Sequence, residues 1–238
     1  MPQDLTERQK TILGALIREY VATAEPVASS GLVQKYRLPY SPATVRNELL
    51  ALDETGYLAQ PHTSAGRIPT DKGYRFYINR LEGGDGLTRG EEAAIRELRE
   101  LDDPSEFMRQ TSRLLAHLSR SLALAGFPDE ALFYQFGIRE VMQEPEFADL
   151  ALMHEFSALM DVIGDELLSR FDPEEFAEPR AFVGRENPIR EARHYGMIVS
   201  SIETPFEKES VIALIGPKRM DYEHNLSILR HFRQLLAA

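Results

Sequence analysis

Ser41, Thr44, Arg46 and Asn47 fall within two helical turns of one another. Their chemistry is that of nucleic-acid recognition: Arg suits guanine or phosphate, Asn suits adenine, and the hydroxyls of Ser and Thr reach phosphates or base edges. A second polar run, from Pro61 to Arg67, carries His62, Thr63, Ser64 and Arg67 in a short loop ending in one cation. Such a loop is suited to follow a sugar–phosphate backbone or enter a minor groove, where negative potential favours Arg. Taken alone, each pattern has a plainer reading, since any three-helix domain has a polar solvated face and any hairpin needs a turn. A third cluster, Arg185, Glu186 and Asn187 beside Gly184, fits either the polar anchors of a small-molecule pocket or a loop held by its own hydrogen bonds. The loop is the simpler reading.

Catalytic chemistry finds little footing. The six histidines stand singly, and His154-Glu155 lacks the second His that a zinc-binding helix requires. No Gly-rich phosphate loop or serine elbow occurs. Cysteine is absent, which removes disulfides, thiol catalysis and thiolate metal sites. The expectation is a protein that is not an enzyme and needs no metal and no cofactor.

The elements that must position these residues are legible in outline. Ile12, Leu16, Tyr20 and Ala24 share one helical face, widened by Leu13 and Ile17, and Pro26 ends that helix. Ser29 or Ser30 can cap a short second helix through Leu32, Val33 and Tyr36. Pro39 excludes helix from the turn that follows. Ser41-Pro42 then supplies an N-cap and a first-turn proline for a third helix that Gly56 stops. Val45, Leu49 and Leu52 face its core, with Ala43, Asn47 and Glu54 opposite and Thr44 and Arg46 on the flanks. Residues 57–60 and 67–68 read as the two strands of a wing, and 70–73 as a closing turn. Helix, turn, helix and wing in that order are more specific than any single part.

The formal net charge of −11 argues against DNA until it is divided along the chain. Residues 1–80 hold ten Lys/Arg against eight Asp/Glu, whereas residues 81–238 hold seventeen against thirty. A DNA-contacting head on an acidic body accounts for that asymmetry. The predicted organisation is a winged helix-turn-helix over 1–80, a linker and connecting helix over 81–103 with its clearest break at Gly83 to Gly86, and a regulatory body over 104–238. The body reads as α+β: a helix from 104 to about 124, a strand from 132, a helix over 147–171, strands near 179–184, 195–202 and 210–217, and a terminal helix from 220. No run approaches the roughly 20 apolar residues of a membrane span, so a cytoplasmic protein without a membrane partner is expected.

The runs beginning at Leu5, Ser41, Gly56 and Gly73 resemble the bacterial heat-inducible transcription repressor HrcA family, as do Val183-Gly-Arg-Glu-Asn-Pro and Ile215-Gly-Pro-Lys-Arg-Met-Asp-Tyr. The resemblance implies a homodimer that binds an inverted-repeat, double-stranded DNA operator ahead of chaperone genes, represses them and lets go on heat stress, with the chaperonin as modulator. It also implies a GAF-like body. The few residues between Ala125 and Leu132 imply a shortened member that lacks much of the family's inserted dimerising domain and some strands. A metabolite-responsive repressor that senses a small ligand through the GAF-like domain is the alternative.

Overall fold

The computed structural model describes residues 5–61, 66–81, 83–84, 86–130, 132–170, 175–206, 208 and 210–237. The chain divides into two compact units, Met1–Leu81 and Glu82–Ala238.

The first unit opens with α1 (Glu7–Thr23). Thr6 and Gln9 cap it reciprocally: the Thr6 hydroxyl accepts from the Gln9 amide at 3.3 Å and the Gln9 side chain accepts from the Thr6 amide at 3.0 Å. Its inner face buries Ile12, Leu13, Leu16 and Ile17. The short α2 (Ser29–Lys35) starts after Ala28 with no side-chain cap, so Ser29 and Ser30 lie inside the helix and neither caps it as the sequence predicts. Glu19 of α1 supplies the missing tether, taking Lys35 Nζ at 2.6 Å and the Tyr36 hydroxyl at 3.1 Å. Burial, and then that hydrogen bond, push the Tyr36 hydroxyl above the ordinary tyrosine range.

After the turn comes α3 (Pro42–Glu54), and Gly56 follows with φ of +76°. A two-stranded antiparallel pair, β1 (Leu58–Ala59) and β2 (Ile68–Pro69), matches Leu58 with Pro69 and Ala59 with Ile68. The predicted closing turn at 70–73 is instead the start of α4 (Asp71–Ile78). Thr70 makes that possible: its hydroxyl accepts from the Gly73 amide at 3.2 Å and donates to the Gly56 carbonyl at 2.7 Å.

The second unit is a five-stranded antiparallel sheet with helices on both faces. In chain order it runs α5 (Arg89–Glu97), α6 (Pro104–Ser119), β3 (Leu122–Phe127), β4 (Leu132–Phe136), α7 (Ile138–Met142), α8 (Leu150–Arg170), β5 (Arg180–Val183), β6 (Tyr195–Ser201), β7 (Val211–Pro217) and α9 (Tyr222–Ala237). The strand order is β4-β3-β7-β6-β5. One face, with Leu122, Leu124, Met197, Val199, Val211, Ala213 and Ile215, meets Phe156, Leu159, Ile163 and Leu167 of α8. On the other side α6 and α9 pack against the sheet, and α5 packs against α6 and α9. Residues 89–97, which the sequence assigns to a separate connecting segment, therefore belong to this unit. The predicted break at Gly83 to Gly86 sits next to the unit boundary, with Asp85 outside the described residues.

The largest departure from expectation is β3. The helix predicted to run to about residue 124 stops at Ser119, Arg120 turns left-handed with φ of 50°, and 122–127 form a strand next to β7 and β4. All six of its residues are buried. A strand covered on both faces loses the period-two alternation, and Leu-Ala-Leu-Ala has high helical propensity, so local pattern favoured the wrong element. The residues counted as a gap after Ala125 thus complete one strand and turn into the next.

Arg219, in the β7–α9 turn, is only slightly exposed and is held by two carboxylates, with Nε 2.6 Å from Glu146 and a terminal nitrogen against Glu144. Arg219 is therefore part of a structural clasp with Glu144 and Glu146. Among the described residues no helix is long and apolar enough to cross a membrane, and no group of three His, Asp or Glu could hold a metal ion.

Candidate functional site

The candidate site is built on α3. Ser41 precedes the helix in extended conformation, and its hydroxyl accepts from the Thr44 amide at 3.1 Å and lies 2.9 Å from the Thr44 hydroxyl. Pro42 occupies the first turn, where a missing amide proton costs nothing. Ser41 and Thr44 thus spend their hydroxyls largely on each other, and they fix where the helix starts.

Val45, Leu49 and Leu52 anchor the inner face of α3. Two cations from neighbouring segments grip its flanks: Arg8 of α1 pairs with Glu48 at 2.6 Å and Arg67 pairs with Asp53 at 2.7 Å. What remains on the outside is Ala43, Arg46, Asn47, Leu50 and Glu54, all exposed. Among the described residues no hydrogen bond or ion pair engages the side chain of Arg46 or Asn47. A guanidinium and a carboxamide stand adjacent and uncommitted on a helix whose end and rotation are fixed.

The second group divides. His62, Thr63 and Ser64 lie outside the described residues. Arg67 is the informative member, since its side chain is 13% exposed and turned onto Asp53. Its backbone also exchanges hydrogen bonds with Val27, N to O at 2.9 and 3.0 Å, tying β2 to the α1–α2 connection. The sequence predicts a solvent-reaching cation here, and the structure gives it an internal carboxylate. The attraction is local: Asp53 sits in the last turn of α3, where the helix dipole disfavours an acid, and an Arg beside it relieves that repulsion.

One exposed cation escaped sequence reasoning. Arg37 lies in the turn before α3 in a left-handed conformation, φ 49°, and among the described residues it has no hydrogen bond or ion pair. The available signal was an Arg in a turn ending at Pro39, close in sequence to the Ser41 cap. On a surface that meets a phosphate backbone, Arg37→Ala should weaken binding to all duplexes alike and make the salt dependence shallower by about one unit of log–log slope. Titrations at several salt concentrations measure this, and an unchanged slope removes Arg37 from the contact.

The third cluster forms a structural loop. Asn187 is 1% exposed, and its Nδ2 lies 2.9, 3.0 and 3.0 Å from the carbonyls of Gly184, Ala192 and Tyr195. Glu186 accepts from the Val183 amide at 3.1 Å. Glu186 and Asn187 bond the loop's own backbone while Arg185 is exposed. Asn187→Ala should lower the stability of the second unit by about 2 kcal/mol, because the buried carbonyls of Ala192 and Tyr195 lose this donor while that of Gly184 keeps the backbone amide of residue 187. Denaturant unfolding would show this as an earlier midpoint.

Residues 77–225 match the model of a protein family described as HrcA protein C terminal domain. The heat-inducible transcription repressor HrcA of Thermobifida fusca (strain YX) is 47% identical over 125 residues, 52% of this chain and 36% of that protein. Its counterpart in Streptomyces albus G is also 47% identical over 125 residues, 37% of that protein. The matched segment is therefore about half of this chain and little more than a third of these relatives. A solved structure titled as a crystal structure of a hypothetical protein at 2.2 Å resolution aligns over 98% of both chains with a TM-score of 0.79 at 18% identity, so it shares the fold.

Proposed function

From the premise that the chain belongs to the HrcA family, we propose that it is a cytoplasmic transcription repressor that reads a double-stranded operator with α3. In this reading the first unit is a winged helix-turn-helix, with α2 bracing α3 and the β1–β2 pair forming the wing. The observation that carries it is the exposed, uncommitted Arg46 and Asn47 side by side on a helix fixed by its cap and its two ion pairs. Side-chain hydrogen-bonding capacity left open in this way fits the donor and acceptor pattern of a major groove.

The assignment of roles changes in two respects. Ser41 and Thr44 set the helix end, and can contact phosphate only in addition to each other. Arg67 positions the wing against α3, and the backbone contact passes to Arg37 and to the loop of His62, Thr63 and Ser64. The second unit is the GAF-like body. Two copies pair it to present two reading heads to an inverted repeat ahead of chaperone genes, and heat releases them with the chaperonin as modulator.

Unbiased selection of bound duplexes from random DNA, using the full chain, tests this reading. A recovered palindrome whose half-sites are spaced by about one helical turn or a multiple of it is the expected result. Recovery of no sequence at low salt would end the proposal. The metabolite-sensing alternative finds less support, because Asn187 is buried and its amide is spent on backbone carbonyls of its own loop. The apolar cleft between α8 and the sheet also encloses only about 20 Å³, far below the usual size of ligand pockets.

A further inference from the structure

α3 carries a residue that its structural role does not explain. Leu50 is 42% exposed and is the one large apolar side chain so exposed among the described residues of the first unit. The core seam is complete without it, since Val45, Leu49 and Leu52 are buried at 0%, 5% and 0% exposure. Nor does it cover a helix end, because the cap at Ser41 and the turn at Thr55 close both termini by hydrogen bonds. Its place is on the outer row, four residues after Arg46 and three after Asn47, so the three side chains line one face one turn apart.

A major groove offers a leucine one apolar group, the C5-methyl of thymine. One helical turn advances about 5.4 Å, which spans roughly one to two base pairs when the helix lies along the groove. We propose that Leu50 is a specificity-determining residue that packs on a thymine methyl one to two base pairs from the pair read by Arg46 and Asn47. The inference rests on α3 being the reading helix and adds to it a preference that hydrogen bonding alone would not produce.

The experiment uses the full chain and the duplex recovered by selection, with each thymine of a half-site replaced in turn by uracil, which keeps the base pair and removes only the methyl. One position per half-site should weaken wild-type binding by about four-fold, the worth of one buried methyl. Leu50→Ala should lose the same factor on the thymine duplex and become indifferent to uracil at that position, while Leu50→Met, which keeps an apolar contact, stays sensitive. Thermal unfolding of Leu50→Ala should match wild type, as expected of a residue outside the seam. If every uracil substitution acts equally on wild type and Leu50→Ala, Leu50 reads no methyl, even though α3 still reads DNA. If selection recovers no duplex, the reading-helix assignment itself fails and takes this inference with it.

Discussion

Arg46→Ala and Asn47→Ala should each cut the difference between operator and scrambled duplex substantially while leaving the fold intact. A bidentate contact from Arg to guanine or from Asn to adenine is worth about 1–3 kcal/mol of discrimination, or roughly five- to 150-fold in affinity ratio. Both side chains are exposed and take no part in the α3 seam, so the thermal unfolding of either variant should stay within about 0.5 kcal/mol of wild type. The residues are adjacent, and the double variant should lose less than the product of the single losses, since each orients the helix for the other. Competition gel shifts with both duplexes separate the roles. Equal losses on operator and scrambled DNA would reduce the pair to phosphate contacts, and no loss on either would remove this face from binding.

The second large effect is expected at a residue with no side chain. Gly66 stands where the hairpin meets the α1–α2 connection, and a Cβ there would lie 2.3 Å from the Val27 carbonyl oxygen and 2.7 Å from the Val27 nitrogen. These are backbone atoms, and they belong to the same residue that exchanges two hydrogen bonds with Arg67. Gly66→Ala must therefore break that bridge or displace the hairpin. Overpacking of this kind costs about 3 kcal/mol, a large part of the stability of a small domain. On the proposed reading DNA affinity should fall with it, because the displaced segment also carries Arg67, which pairs with Asp53 of α3. Arg67→Ala is the matched control: it keeps the bridge, removes only the ion pair to Asp53, and should cost about 1 kcal/mol. Circular dichroism melts of the two variants compare them directly, and a wild-type melt for Gly66→Ala would show that the hairpin does not rest on Val27.

Local chemistry was sufficient where one segment determines its own conformation. Ser41-Pro42 names a helix start because the cap and the proline act within one turn, and the Val45, Leu49 and Leu52 spacing names the buried face because a helix has one period. The outer row bearing Arg46 and Asn47 follows from the same geometry. Local chemistry failed where long-range contacts took over. Ser29 and Ser30 looked like caps, but Glu19, well back along the chain, holds α2 through Lys35 and Tyr36. The Leu-Ala-Leu-Ala stretch looked helical because nothing in it shows that β7 and β4 flank it.

Arg67 shows how this applies to the site itself. A sequence places a cation after a small polar loop and gives it no partner, since Asp53 lies beyond a turn and a strand and becomes its neighbour only when the hairpin folds onto α3. Among the described residues the same folding leaves Arg37 and Arg46 without carboxylates, although nothing in the sequence sets the three arginines apart. The sequence by itself thus determined the helix, its register and the polar groups on its outer face, because these depend on contacts within a few residues. Which cations of the first unit are taken up by carboxylates, and that Leu50 lies exposed outside a complete core, were decided by tertiary structure, because charge pairing and burial depend on neighbours distant in the chain.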